Sequence, residues 1–348
     1  MSTHRAAVHP AANKPYEVKQ VPTPQPTSSQ VLIQITASAI NPVDWKIADG
    51  GFPAKFPAIL GSDAAGIVSK VGDGVKSLSV GDRVFFQGTL GSSDGCTFQE
   101  YAVMEEALVS KTPDNMNDGE GSGVQLASMA ALVGLYDKSG GFEVKPAPWD
   151  KGGNEAGKGQ ALVILGGSSS VGQYAIQFAR LSGFSKIITT SSSSHTDHLK
   201  ALGATDVVDR SSTAQDFLKI AGDLPMNGVY DAIGSEETLK QGTSILEQRH
   251  KGTDHVSHYV SVIPPRDEFE NNVTRKAILG MGSSPALHHV SHPFVKAVSG
   301  NEGWVGKGLF KPNRTQKVDG GLEKGLQKAL DLNKKGVSGV KVWFDPRE

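Results

Sequence analysis

The chain has one cysteine, Cys96, in 348 residues, which excludes an internal disulfide and any zinc lobe built from four cysteines. It also lacks an excess of charge of either sign: 35 Lys and Arg stand against 36 Asp and Glu, a net charge of −1. So balanced a chain has no field to gather phosphate backbones or anionic lipid, and neither a nucleic acid nor a membrane is expected as a partner. No continuous apolar stretch follows Met1-Ser2-Thr3-His4-Arg5, and none later approaches the roughly 20 residues of a membrane span. The expectation is an intracellular, cytoplasmic chain, in which Asn272-Val273-Thr274 and Asn313-Arg314-Thr315 are chance matches to a glycosylation sequon. What is abundant is glycine, 41 residues, in a chain whose length predicts about two domains at roughly 100–200 residues each.

Residues 1–110 read as β structure. Short β-branched runs at 31–35, 64–68 and 82–86 are punctuated by Gly or Pro every ten or so residues, which predicts a small barrel or sandwich. From about 124 the texture changes to strands alternating with helical patterns. Strands are expected at Ala161–Leu165, Lys186–Thr190, Asp206–Val208, 228–233, 258–263 and 277–281. Helices are expected at 124–136, 173–181, Thr196–Leu202, 213–221 and 236–247. Such repetition means an α/β unit with a doubly wound parallel sheet. The stretch 137–160, with six glycines and two prolines, reads as a loop; after 285 the pattern is irregular until a helix at 321–333 and a strand at 337–344.

The first strand of the α/β part runs into Gly166-Gly167-Ser168-Ser169-Ser170-Val171-Gly172 and then a helix. Small residues let backbone amides approach a diphosphate there, and a helix N-terminus supplies unpaired N–H groups and a positive dipole end. Against G-x-G-x-x-G, Gly167 and Gly172 match while Ser169 takes the middle position. The second strand should end at the adenosine ribose, where an acidic residue would take the 2′-hydroxyl of NAD. No acid occurs from Gln173 through Thr196; the chain has Ser191, Ser192, Ser193, Ser194 and His195, with Lys186 before and Lys200 after. Hydroxyls and cations suit a 2′-phosphate, so the expected cofactor is NADPH.

Taken together, Asn41-Pro42-Val43-Asp44-Trp45-Lys46, Leu60-Gly61-Ser62-Asp63-Ala64-Ala65-Gly66, Val80-Gly81-Asp82-Arg83-Val84, Gly95-Cys96-Thr97-Phe98 and the glycine loop resemble the medium-chain dehydrogenase/reductase superfamily over nearly the whole length. The resemblance implies a GroES-like β-barrel domain at 1–123 and 286–348, and a Rossmann NADPH-binding domain with a doubly wound parallel sheet at 124–285. Zinc members of the superfamily carry a catalytic Cys, a Gly-His-Glu motif and a cysteine-rich lobe. Here the matching stretch is Gly61-Ser62-Asp63, the segment of the first ligand reads Ile40-Asn41-Pro42-Val43-Asp44, and the lobe is missing. A catalytic zinc needs about three protein ligands, so the resemblance narrows to the zinc-free quinone, alkenal and enoyl reductases, and no metal is expected.

Within that branch the chain looks like the fungal trans-acting enoyl reductases. The likeness implies that Val43, Asp44, Trp45 and Lys46, the loop Ser168, Ser169, Ser170 and Val171, and the segment Ser192 to His195 contact NADPH. Val262 and Ile263, at the end of the expected strand 258–263, complete the set. A Tyr of those proteins that meets the adenosine is replaced by Arg210, whose guanidinium can stack on adenine or meet the phosphate.

The expected reaction is reduction of the activated C=C of an enone or enoyl thioester, through an enolate protonated at the α-carbon. Lys46 is the candidate catalytic residue, to stabilise or position the developing charge; its alternative role is to hold ribose or phosphate. Tyr136 and Tyr259 are candidate proton donors, with solvent as the other source. Asp231 reads as the holder of a turn, His288, His289 and His292 as surface residues beside Pro293, and Cys96 as inert. Reduction of a quinone and a non-catalytic NADPH-binding sensor or partner module are the rival readings. The resemblance leaves a homodimer and a monomer both open, and it admits a polyketide synthase as partner.

Overall fold

The computed structural model describes residues 2–52, 54–263 and 268–348. The chain forms two compact units, Met1–Leu126 with Met281–Glu348, and Ala127–Gly280.

The first unit is built on a seven-stranded sheet. Its order is Thr315–Lys317, Lys341–Phe344, Gln30–Ala39, Asp63–Val71, Arg83–Gln87 and Val109–Lys111, with Tyr101–Glu105 also paired to Gln30–Ala39. Val31, Ile33 and Ile35 alternate along the central strand and bury against Val68, Val84, Phe86 and Met104, the period-two pattern of a sheet with one face in a core. A smaller sheet joins Thr3–His9 to Glu17–Pro22 and Ala58–Ile59. The strand Lys341–Phe344 returns late in the chain to pair antiparallel with the end of Gln30–Ala39. Lys341 is buried on this strand, with Nζ 3.6 Å from the equally buried Asp63 carboxylate and donating to Asn41 Oδ1.

The second unit has the sheet order Asp206–Val208, Lys186–Thr190, Ala161–Leu165, Gly228–Asp231, Ser257–Ser261, Val273–Ala277 and Glu268–Glu270. The first six strands are parallel and the last is antiparallel. Numbered among themselves in chain order, the six parallel strands follow the 3-2-1-4-5-6 sequence of a Rossmann sheet, and the edge strand is an addition from the chain between the fifth and sixth. Ala161–Leu165 is buried at every position, as a central parallel strand covered on both faces must be. Helices Ser170–Leu181, Thr196–Leu202, Ala214–Ala221 and Glu236–Arg249 connect successive strands. Phe217, Ile245 and Leu246 pack with Val163, Val229 and Tyr259 in the core.

Two expectations differ from the structure. The sixth strand is Val273–Ala277, not 277–281; Leu279 and Met281 are exposed. Its register follows pairing with Ser257–Ser261, and its charged Arg275 is held by Glu268 and Glu270 of the edge strand. Past 285 a helix, His288–Val298, stands where irregular chain was expected. Pro293 masks it in the sequence, while Val290, Phe294, Val295 and Val298 give it a buried face.

Replacing Lys341 by Met leaves the Asp63 carboxylate buried without its cation, and the loss expected in urea unfolding is about 3–5 kcal/mol. Adding Asp63→Asn should recover part of it; a loss below about 1 kcal/mol in the single variant refutes the pair's structural role.

Candidate active site and cofactor cradle

In the second unit the turn after Ala161–Leu165 is held on both sides. Gly166 donates from its amide to Thr190 Oγ1 at 2.8 Å, and Gly167 to the Thr190 carbonyl at 3.0 Å, which ties the loop to the end of the second strand. Gly166 has φ +78°, a left-handed conformation that favours glycine. A Cβ on Gly172 would come within 2.3 Å of the Gly166 carbonyl, and one on Gly167 within 2.2 Å of Thr189 Oγ1. Both positions therefore need glycine for close approach. Ser169, the departure from the glycine pattern, is the N-cap of helix Ser170–Leu181, its hydroxyl accepting from the Gly172 amide at 3.0 Å. At the place of the pattern's middle glycine the chain thus has a capping side chain that fixes the start of the helix. The first helical amides have no intrahelical acceptor, and Ser168, Ser169, Ser170 and Val171 are half-buried around them.

At the end of the second strand Ser191 is buried, and its hydroxyl has no hydrogen-bond partner. Ser192 and Ser194 share a hydrogen bond at 3.0 Å across the turn Ser193–His195; Ser193 and Ser194 are exposed and His195 is buried. The orphaned hydroxyl beside two exposed ones fits a phosphorylated ribose, whose oxygens would accept from them. Arg210 is exposed, two residues past the third strand. Val262 and Ile263 follow the fifth strand: the Val262 amide donates to the Asp231 carbonyl at 3.2 Å, and the exposed Ile263 side chain packs over the turn at Gly234.

Val43, Asp44, Trp45 and Lys46 belong to the first unit, on helix Pro42–Ala48. Pro42 opens that helix, and the Asp44 carboxylate accepts from the Asn41 amide at 2.7 Å, closing its N-terminus. The other Asp44 oxygen accepts from the Ser62 hydroxyl at 2.8 Å, and Ser62 accepts from Asn41 Nδ2 at 3.1 Å. Asp63 beside them accepts from the Leu126 amide at 3.1 Å, at the start of helix Gln125–Tyr136. Burial pushes Asp44 up to about 7 and Asp63 up to about 6, with Lys341 holding both lower than burial alone would. Asp44 is therefore committed to the interior, both of its carboxylate oxygens accepting within the protein. Trp45 is likewise committed, Nε1 donating to Asn333 at 2.9 Å. Val43 packs at the edge of the same core, and half-buried Lys46 sets its ammonium 5.6 Å from the Trp45 ring centroid.

The remaining candidates are accounted for inside each unit. The Tyr136 hydroxyl is buried on the Phe178 carbonyl and Ser182, and that of Tyr259 donates to Asp231; burial raises both well above the ordinary phenol. Asp231 also accepts from the Ile233 and Gly234 amides and from Thr238. Cys96 is buried and pushed up to about 12. His288 and His292 stack at 4.2 Å, one turn apart on their helix. Among the described residues no group of three or more His, Cys, Asp or Glu could hold a metal ion. Sequence reasoning missed Lys341, whose only local signal is a lysine within the apolar run of the last strand.

Family models for the alcohol dehydrogenase GroES-like domain and for zinc-binding dehydrogenase match residues 27–114 and 170–256. The chain is 33% identical to the trans-enoyl reductase tndF of Aspergillus flavipes, covering 97% of this chain and 98% of that one. It is 34% identical to a chloroplast envelope quinone oxidoreductase homolog of Arabidopsis thaliana over 62% of this chain and 61% of that one. A mycobacterial structure solved with NADPH superposes with a TM-score of 0.71 at 20% identity, covering 99% of this chain and 100% of that one. The chain belongs to the medium-chain dehydrogenase/reductase superfamily. It joins a GroES-like domain to a Rossmann-like one and is an oxidoreductase of a family that uses NAD(P)H. Among the described residues no helix is long and apolar enough to cross a membrane.

The folded chain keeps the Asp44 proton up to about pH 7, whereas an unfolded Asp releases it near 3.8. Between those values the folded state binds more protons, so the stability contributed by this group falls as pH rises through the window and is level above it. Asp44→Asn should flatten the pH dependence of the urea midpoint over that range; an unchanged slope would show that another group titrates.

Proposed function

We propose that the chain is an NADPH-dependent, metal-independent reductase of activated C=C bonds, acting on an α,β-unsaturated carbonyl or an enoyl thioester. What carries the reading is the 33% identity to a trans-enoyl reductase over nearly the full length of both chains. Two features of the residues support it. Ser62, where zinc members have histidine, is bound into a hydrogen-bonded cluster with Asn41 and Asp44, which supports a reaction that needs no Lewis acid. The turn from Ser191 to His195 offers hydroxyls and no carboxylate, which supports NADPH over NADH.

NADPH supplies the hydride; the protein's share is binding, orientation and charge stabilisation. In this proposal Gly167 to Gly172 hold the diphosphate on the helix N-terminus, and Ser191 to His195 with Arg210 hold the phosphorylated adenosine. Val262 and Ile263 contact the cofactor beyond the fifth strand. Residues 43–45 contribute through their backbone, since the Asp44 and Trp45 polar groups are already bonded. Lys46 moves its ammonium off the Trp45 face to stabilise the oxygen of the enolate, which takes its α-proton from solvent because the Tyr136 and Tyr259 hydroxyls are buried. The same reading admits an acyl chain carried by a partner synthase and a homodimer. The similarity to a quinone oxidoreductase homolog favours quinone as the second substrate class.

Anaerobic NADPH oxidation against an enal, an enone, an enoyl thioester and a quinone, with products identified, tests the proposal. The expected outcome is a saturated product from the enone or thioester. Turnover of quinone alone selects the second reading, and no turnover with any class leaves a non-catalytic NADPH-binding module. Ser192→Asp should lower kcat/KM for NADPH relative to NADH about tenfold, ~1.4 kcal/mol. Lys46→Ala should lower kcat while leaving the Kd for NADPH unchanged; a matching loss of NADPH affinity would make Lys46 a cofactor ligand only.

A further inference from the structure

The first unit contains a cavity of 270 Å³ lined by the turn that follows strand Thr3–His9, by helix Pro42–Ala48 and by helix Leu326–Lys335. Two aromatic side chains, Tyr16 and Trp45, line it together with the imidazole of His9. His9 is 3% exposed, its ring tilted against Tyr16 at 5.5 Å between centroids; both ring nitrogens are buried, and the Lys14 backbone is the one polar group set against them, which leaves at least one nitrogen without a partner. The polar tips of the aromatic residues are engaged: Trp45 Nε1 donates to Asn333 at 2.9 Å, and the Tyr16 hydroxyl to the Leu322 carbonyl at 3.1 Å. The imidazole alone among these three rings keeps unmet hydrogen-bonding capacity.

A buried polar group left without a partner is costly, and a fold that keeps one on this ring calls for an explanation. Burial lowers the pKa of His9, and the nearby Lys14 backbone offsets this only in part, so the ring is neutral near pH 7 and offers one donor and one acceptor. The lining carries Lys14 and Lys334 against Asp49 and Asp331, a balanced set that selects for no net charge. An apolar cavity of about 150 Å³ already accepts benzene, so this one has room for a substituted single ring.

We propose that this cavity is a binding site for a neutral, single-ring phenol, with a face against Tyr16, its edge toward Trp45, whose ring already carries the Lys334 ammonium at 5.7 Å, and its hydroxyl hydrogen-bonded to His9. Both ring nitrogens are covered as the side chain lies, and a turn about χ2, a soft torsion for imidazole, presents one of them to the ligand. The site uses none of the positions assigned to NADPH except Trp45, and of that residue only the ring.

Calorimetric titration of the full chain, saturated with NADPH, with 4-methylphenol tests this, with toluene as the match in shape that lacks the hydroxyl. The expected result is saturable one-to-one binding of 4-methylphenol, at least tenfold tighter than toluene. His9→Phe, which keeps an aromatic ring, should weaken 4-methylphenol at least tenfold and leave the Kd for NADPH unchanged. No saturable binding, equal affinity for toluene, or unchanged affinity in His9→Phe overturns the proposal. Should that variant fail to fold, the comparison of the two ligands on the unaltered chain still decides.

Discussion

The contact between Lys341 and Asp63 is the constraint on which the first unit depends. Each charge loses its water on burial, which is costly, and the attraction between them offsets that loss only if neighbouring groups satisfy what remains. Here Asn41 accepts from Lys341 and reaches Ser62 with its amide, Ser62 donates to Asp44, and Asp63 takes the Leu126 amide. Three pieces of backbone are fixed by this cluster. They are the returning strand that carries Lys341, the short helix closed by Asp44, and the start of the helix whose amide Asp63 accepts. The charges cannot be removed singly, since each one alone would be an uncompensated ion in the interior.

The two units treat their polar groups in opposite ways. In the first, the segment that resembles a zinc-ligand region is closed upon itself: every polar side chain of Asn41, Asp44, Ser62 and Asp63 is bonded within the protein. In the second, the second-strand turn leaves capacity open, with the Ser191 hydroxyl unpartnered, and the capped helix N-terminus beside it presents its positive dipole end. A closed cluster gives rigidity, and an open one gives affinity. An oxidoreductase that binds a dinucleotide needs the first kind of region to hold its shape and the second to hold its ligand.

Much of the fold was legible because the signals are local. Ala161–Leu165 and Lys186–Thr190 are strands with the bounds expected, since a short apolar or β-branched run ended by glycine or serine leaves little choice of register. The glycine loop was readable for the same reason, and its one departure, Ser169, became intelligible only as a helix cap. What could not be read depended on distant partners. Asn41 and Lys341 are 300 residues apart, and no period or motif links them. The sixth strand was misplaced because its pairing with Ser257–Ser261 outweighs the apolar run that follows it. The direction of the Trp45 indole, toward Asn333 and the cavity with His9, was equally hidden, because a motif places a residue on a helix but not on a face of it.

The position of strand Lys341–Phe344 has a consequence for the order of events during synthesis. Every residue of the second unit leaves the ribosome before Lys341 does, and its sheet is assembled from one contiguous segment, so that unit has all it needs first. The first unit meanwhile waits with the end of strand Gln30–Ala39 lacking one neighbour and with Asp63 lacking its cation. An open strand edge is a template for the wrong partner. Between the emergence of Gly280 and that of Lys341 the nascent chain therefore carries a finished α/β half and an unfinished barrel half, and the interval in which it is vulnerable to misassociation ends only when the last strand arrives.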